Sequence, residues 1–394
     1  MPTITQQNTN LYYFDSTTGF NFAGDDDELI VGADVLVGSE QGFGVTSGKN
    51  NNTVINNGTI LSGKDFALLF VFHITVLSNE TIINNLGATI SGITTGINVL
   101  GSLGINVSNH GFINGFETDG LDLDLAGTEG SYIVSNDGKI YANIAAINIS
   151  GGGSLTINNT GTGLIYGRGE AISIGNSGGG STTITNQLNS TISSDNVAIY
   201  ATSTGGPFTL NNAGHIVNGI LSDANANDVV VNSGTITGLV LLGPGADLYQ
   251  GVKSGIVTGT IHGGDGNDTF IADRARESFF GDAGADRFVF NAVAFSPSTA
   301  NHDTIGDFIS GNGDRIDVHA IDADVTRHGH QHFVFIGTQS FAHYHSHHPG
   351  AIGMLRFNPG AHALEGNVNA NFHTAEFLVS LPSATTLQAS DLIL

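Results

Sequence analysis

The chain has no cysteine, few basic residues and no long apolar run. Without cysteine, no disulfide can staple the fold and no thiol chemistry is available. Lys and Arg number 11 against 35 Asp and Glu, giving a formal charge of -24. Lys49, Lys64, Lys139 and Arg168 are the basic residues of positions 1–250. A chain this acidic repels phosphate groups, so nucleic acid and anionic membrane surfaces are disfavoured partners, and divalent cations are favoured ones. No apolar stretch approaches the roughly 20 residues that span a bilayer, so no membrane insertion is expected. The start, MPTITQQNTNLYYFDSTTGF, lacks a basic segment followed by an apolar one, so no secretory signal is expected there.

What the chain does have is glycine (56 residues), asparagine and an internal repeat. The pattern apolar–x–Asn–x–Gly–x–Ile reads VINNGTI at 54–60, VSNHGFI at 107–113, VSNDGKI at 134–140, LNNAGHI at 210–216 and VVNSGTI at 230–236. With looser copies it sets up an Asn column at Asn56, Asn85, Asn109, Asn136, Asn159, Asn186, Asn212 and Asn232. A second run follows each copy (GINV 96–99, GLDL 120–123, AINI 146–149, AISI 171–174), and a third leads into the next Asn. Three short strands per repeat, separated by turn formers and without helical periodicity, fit one coil of a right-handed parallel β-helix. The Asn column is expected to stack as an amide ladder at a turn, a structural role rather than a ligand site.

A different repeat begins at Gly263. GGDGNDTFI (263–271) fits the nonapeptide G-G-x-G-x-D-x-U-x at each defined position, and GDAGADRFV (281–289), eighteen residues on, departs only at Asp282. Two nonapeptides make one coil, so the two motifs are expected to stack. Calcium takes six to eight oxygen ligands, which glycine turns present as carbonyls and aspartates as charge. Asp268 and Asp286 are the expected carboxylate ligands. The carbonyls of Gly263, Asp265, Gly266, Gly281, Ala283 and Gly284 are the expected partners, and Phe270 and Phe288 should point into the core. An upstream variant, LGPGADLYQ (242–250), places Gly245 and Asp247 in the corresponding positions and is a candidate for a second ion site. The intervening ADRARESFF (272–280) has no glycine and carries Glu277 where Asp is expected. There, Arg274 or Arg276 is expected to supply positive charge in place of an ion.

The residues that follow resemble the C-terminal domain of serralysin-type secreted proteins. RFVFNAVAFSPSTANHDTIGDFISGNGDRIDVHAIDAD (287–324) has a Phe-rich strand, then D-x-I-x-D-F at Asp303, Ile305, Asp307 and Phe308, then Asp314, Ile316, Asp317, Ile321 and Asp322. FVFIGTQSF (333–341), GMLRFN (353–358), EGNVNANFHTAEFLVSL (365–381) and the ending Asp391-Leu392-Ile393-Leu394 continue the likeness, which covers about residues 260–394. Asp303 and Asp307 stand as further candidate calcium ligands. The resemblance implies an uncleaved C-terminal signal read by type I secretion machinery, and a secreted, extracellular or surface-associated protein. Serralysins also carry a zinc protease with a His-Glu-x-x-His helix. That run is absent here, so protease activity does not transfer.

The expected fold is all-β. A right-handed parallel β-helix over 1–250 continues into a calcium-binding parallel β-roll over 251–290 and a C-terminal β-sandwich-like secretion cap over 291–394. Twelve of 15 His lie beyond residue 260, seven of them in HGHQH (328–332) and HYHSHH (343–348), which read as a solvated loop before a transition-metal site. Asp122 and Asp124 of LDLDL, with Asp119 and Glu129, and Arg168 and Glu170 on a neighbouring coil, form the alternative: a polysaccharide lyase or epimerase centre of the β-helix type. The run Asp25–Glu28 reads as surface. The leading expectation is a non-catalytic calcium-binding protein for adhesion, matrix association or self-assembly, with a cell-surface or matrix polysaccharide or protein as its partner. The scarcity of cations along the rod argues against the enzyme.

Overall fold

The computed structural model describes residues 3–71, 79–102, 104–125, 132–176 and 179–394. Strand makes up 47% and helix 3%, which sets the class as all-β, and the coils are those of a parallel β-solenoid. The chain divides into two units, Met1–Asn225 and Ala226–Leu394.

In the first unit each coil is three short strands, for example Tyr132–Asn136, Lys139–Ala142 and Ala145–Gly151, followed one coil later by Leu155–Asn159, Leu164–Gly167 and Glu170–Gly175. These segments form strands because β-branched residues alternate with small polar ones, while Gly and Asn allow the chain to turn between them. Pairing is parallel and in register, with Val134 opposite Ile157, Ile140 opposite Ile165 and Ile147 opposite Ile172. Like therefore stacks on like. Val54, Ile82, Val107, Val134, Ile157, Ile184 and Leu210 form one fully buried column. Each such side chain stabilises the fold by about 1.5–3 kcal/mol relative to exposure.

The amide ladder runs Asn56, Asn84, Asn109, Asn136, Asn159, Asn186, Asn212, each Nδ2 donating to the next Oδ1 at 2.7–2.9 Å. Each Nδ2 from Asn56 to Asn186 also donates to a carbonyl of a neighbouring coil, such as Thr191 O for Asn159. Every rung is thus satisfied without a ligand. One rung differs from the sequence column: Asn84, not Asn85, is in register with Asn56 and Asn109. The turn Asn85–Ala88 is two residues longer than Asn57-Gly58, and one of the two lies before the glycine, so aligning on the glycine shifts the reading by one. Asn85 instead donates to Asn57 Oδ1.

In the second unit the strands Val229–Asn232, Leu248–Gly251, Thr269–Ile271, Arg287–Val289, Arg315–Asp317 and Leu392–Ile393 pair in parallel one after another. Tyr249, Phe270, Phe288 and Ile316 stack inside, fully buried. The rings of Phe270 and Phe288 lie 5.1 Å apart and nearly parallel, as the U positions of the nonapeptide require. A second row pairs Val240–Leu241, Ile261–Asp265, Ser278–Ala283 and Asp303–Ile305. The cap is an antiparallel meander of Met354–Asn358, Ala363–Asn367 and Phe377–Ser380, and its last strand pairs in parallel with Asp303–Ile305. Asp391 accepts from Ser310 Oγ and the Gly311 amide. Among the described residues no helix is long and apolar enough to cross a membrane.

Candidate metal centre

The two nonapeptide turns stack directly. Gly264 lies opposite Asp282 and Asp265 opposite Ala283, and the Gly266 amide donates to Ala283 O at 2.7 Å. The turn of the upstream variant stacks in the same way. Gly245 bridges to Gly266, and its amide donates to Asp265 O at 2.8 Å. Carbonyls have two lone pairs, so those of Asp265 and Ala283 each retain one. Gly266 (φ +143) and Gly284 (φ +151) take a conformation open to glycine, and a Cβ at either would overlap the carbonyl oxygen of the glycine one coil before. Asp282, which stands where the motif has its second glycine, adopts φ 63, a left-handed position that Asp tolerates better than most residues.

The aspartates form a ladder of their own. The Asp247 amide donates to Asp268 Oδ1 at 2.8 Å, the Asp268 amide to Asp286 Oδ1 at 2.9 Å and the Asp286 amide to Asp314 Oδ1 at 3.1 Å. The second carboxylate oxygens of Asp247, Asp268 and Asp286 are buried and have no hydrogen-bond partner. Those of Asp268 and Asp286 point into the glycine turns: a Cβ on Gly263 would overlap Asp268 Oδ2, and one on Gly281 would overlap Asp286 Oδ2. Burial pushes Asp247 up to about 8, Asp268 to about 6 and Asp286 to about 7, with neighbouring aspartates adding to the rise. Buried anionic oxygens without a partner are costly. A hard cation taking oxygen ligands removes that cost, so the residues present fit calcium. Among the described residues no three His, Asp or Glu side chains converge on one point. An ion held here therefore takes most of its oxygens from the main chain.

Two members of the ladder escape the nonapeptide pattern. Asp314 accepts from Asp286, and the Asp228 amide donates to Asp247 Oδ1 at 2.6 Å. Their signal in the sequence is Asp–x–apolar at the start of each first-row strand: Asp228-Val-Val, Asp247-Leu-Tyr, Asp268-Thr-Phe, Asp286-Arg-Phe and Asp314-Arg-Ile. The spacing varies from 18 to 28 residues, which hides the period.

Asp307 and Asp303 sit differently. Asp307 accepts the amides of Gly281 and Asp282 with its two oxygens, at 3.1 and 2.7 Å, and so caps the second motif turn. Asp303 is instead brought to Glu277, whose amide it accepts at 2.7 Å, and its other oxygen is buried without a partner. Glu277 is buried with Asp273, and burial followed by the charges of Asp303 and Asp273 holds its carboxyl well above the usual range. The arginine expected there is not its partner. Arg274 and Arg276 are exposed and no ion pair among the described residues includes them, although the charge of Arg276 partly offsets the burial that raises the neighbouring Asp303 carboxyl. Tyr249 Oη donates to Glu277 Oε1 at 3.0 Å. A buried carboxyl this hard to ionise needs a neutral hydrogen bond, not a cation.

The remaining candidates separate. Helix Phe341–His347 brings His343 beside His347 with ring centroids 4.6 Å apart and tilted by 47°, a pair that could hold a transition metal, while His345 packs on Phe372 and His348 on Tyr344. Asp122 is clamped by Asn98 and Asn148 at 2.9 and 3.0 Å. Nearby Asp119 is raised to about 6 by burial, with Asp122 and Glu170 contributing. Arg168 turns elsewhere, 4.0 Å from Asp195 and 3.5 Å from Asn143 Oδ1, so the cation a lyase needs is not at the acids. Glu129 lies outside the described residues. Within the run Asp25–Glu28, Asp27 is buried rather than on the surface, accepting the amides of Thr3 and Gly24.

No curated protein matches the chain. A family described as Peptidase M10 serralysin C terminal matches residues 178–394, so the match begins well before the 260–394 stretch on which the resemblance rests. The stacked glycine turns and their aspartate ladder lie inside that span, and the chain belongs to the serralysin C-terminal family, the repeat domain rather than the catalytic part.

Proposed function

We propose that this is a secreted calcium-binding protein whose Ala226–Leu394 unit orders on calcium after export by type I secretion, and whose coils serve adhesion to a surface or matrix polysaccharide or protein rather than catalysis. The observation that carries it is the column of buried, partnerless carboxylate oxygens of Asp247, Asp268 and Asp286. Asp268 and Asp286 would hold the ion with carbonyls of Gly263, Asp265, Gly266, Gly281, Ala283 and Gly284, and Asp247 with Gly245 would serve a second ion. Bound calcium supplies the positive charge that lets these carboxylates stay ionised inside the fold. Extracellular calcium modules bind at about 10⁻⁴–10⁻³ M. The free calcium inside a cell lies far below that, so the stabilisation is withheld until the chain is outside.

Calorimetric titration of the chelator-stripped chain tests this. The parent is expected to bind calcium in that range, and Asp268→Asn with Asp286→Asn is expected to lose the heat of at least one ion. Equal heats for parent and variant would remove the reading. Adding alginate or pectate to the calcium-loaded chain should then release no unsaturated product.

A further inference from the structure

The position that carries the aspartate ladder, the residue just before the first strand of a coil, is also polar and buried in the opening coils of the Met1–Asn225 unit. Strand register aligns Glu28 with Thr53 and Thr53 with Thr81, which puts Asp27, Asn52 and Glu80 in one row. Each is followed by x–apolar (Asp27-Glu-Leu, Asn52-Thr-Val, Glu80-Thr-Ile), as Asp268 is by Thr-Phe. The bonding rule is the same too. The Asp27 amide donates to Asn52 Oδ1 at 2.8 Å, and the Asn52 amide to Glu80 Oε2 at 2.9 Å. The residue before, Asp26 or Asn51, is left-handed at φ 58 or 57.

Glu80 sets this row apart from a solvated acidic face: it is 0% exposed, and its Oε1 is buried without a hydrogen-bond partner. Burial raises its carboxyl to about 8 against the backbone amides of Asn52 and Asn51, which hold it down, with Asp25 adding to the rise. Asp25 is exposed and uses Oδ1 to accept from Asn50 at 2.9 Å. Lys49, the cation of these turns, is exposed, and no ion pair among the described residues includes it. The oxygen chemistry therefore matches that of Asp268 and Asp286, with a glutamate as the buried acid.

We propose that the stacked turns 24–27 and 48–52, closed by Glu80, form a further calcium site, with Glu80 Oε1 and the Asp25 carboxylate as its charged ligands and main-chain carbonyls of the turns as neutral ones. It lies outside the family-matched residues 178–394, and it does not depend on the C-terminal ions. Its other buried acid, Asp27, already spends both oxygens on the Thr3 and Gly24 amides, so Glu80 alone has a free buried oxygen where the C-terminal ladder has several, and the affinity falls at the weak end of the extracellular range, near 10⁻³ M. Its effect is to lock the opening coils under the same condition that orders the C-terminal ones.

Hydrogen exchange on the full chain, in chelator and in calcium, tests it. Calcium at about ten times the dissociation constant should slow exchange in 28–31, 53–56 and 80–84 about tenfold. Glu80→Gln keeps the acceptor for the Asn52 amide, so the coil should fold, with unchanged exchange in chelator. In that variant calcium should no longer protect these strands yet still protect 269–289. Calcium protection of 269–289 alone in the parent, or undiminished protection of the opening coils in Glu80→Gln, would overturn this site and leave the C-terminal reading standing. Protection of neither region would overturn both.

Discussion

Replacing Gly284 by alanine is expected to erase the difference in melting temperature of the Ala226–Leu394 unit between calcium and chelator. The added Cβ would overlap Gly266 O, and φ +151 is a conformation L residues avoid. A main-chain oxygen cannot swing away as a side chain can, so the two turns must part, and with them the carbonyls that face an ion. Such a clash costs on the order of 4 kcal/mol or more, roughly 8 °C or more in melting temperature for a unit of this size. Gly263→Ala acts through the ligand instead. Its Cβ would overlap Asp268 Oδ2, so it should weaken calcium binding more than it lowers stability in chelator. Gly311→Ala is the control: φ is +85 there, but the added Cβ meets nothing within 4 Å. It should cost only about 1–2 kcal/mol, equally with and without calcium.

The pH dependence of stability should reverse with calcium. In chelator the folded-state carboxyls of Asp247, Asp268 and Asp286 are raised to about 8, 6 and 7, while the unfolded chain titrates near 3.9. A raised acid favours the folded state fully below the unfolded value, and that advantage is lost as pH rises through the folded values. Stability in chelator should therefore fall from about pH 5 to pH 8, by up to about 1.4 kcal/mol per pH unit for each group, and the melting temperature with it. With saturating calcium the ion holds these groups ionised and protons compete with it. Melting temperature should then rise over the same interval. Melting curves at four or five pH values in each condition check the two slopes. Parallel slopes would mean that the ladder carboxylates do not meet the ion.

The parts of this arrangement that repeat in kind and in spacing were legible from residues alone. Phe270 and Phe288, eighteen apart, stack in the core as their motif requires, and Asp268 and Asp286 stack at the turn. Reading failed where one residue more or less changes the register: the glycine in Asn85-Leu86-Gly87 pulled the ladder to Asn85, whereas strand pairing uses Asn84. It failed again where charge was taken to mean exposure. Asp27 is buried because the coil turns its position inward, and hydropathy gives no sign of that. Glu277 lacks an arginine for a related reason: a buried acid can stay neutral, and Tyr249, 28 residues away in sequence, is a partner no local pattern reveals. Asp228 and Asp314 were hidden by coils of unequal length.

Circular dichroism of the parent chain through a thermal melt, in excess chelator and then in millimolar calcium, bears most directly on whether the ion organises the turns around Gly263 and Asp286. Calcium is expected to sharpen the strand signal and raise the melting temperature of one transition, with magnesium, which dehydrates reluctantly and demands a tighter octahedral shell, doing neither. Superimposable spectra and melts in chelator and calcium would contradict the account.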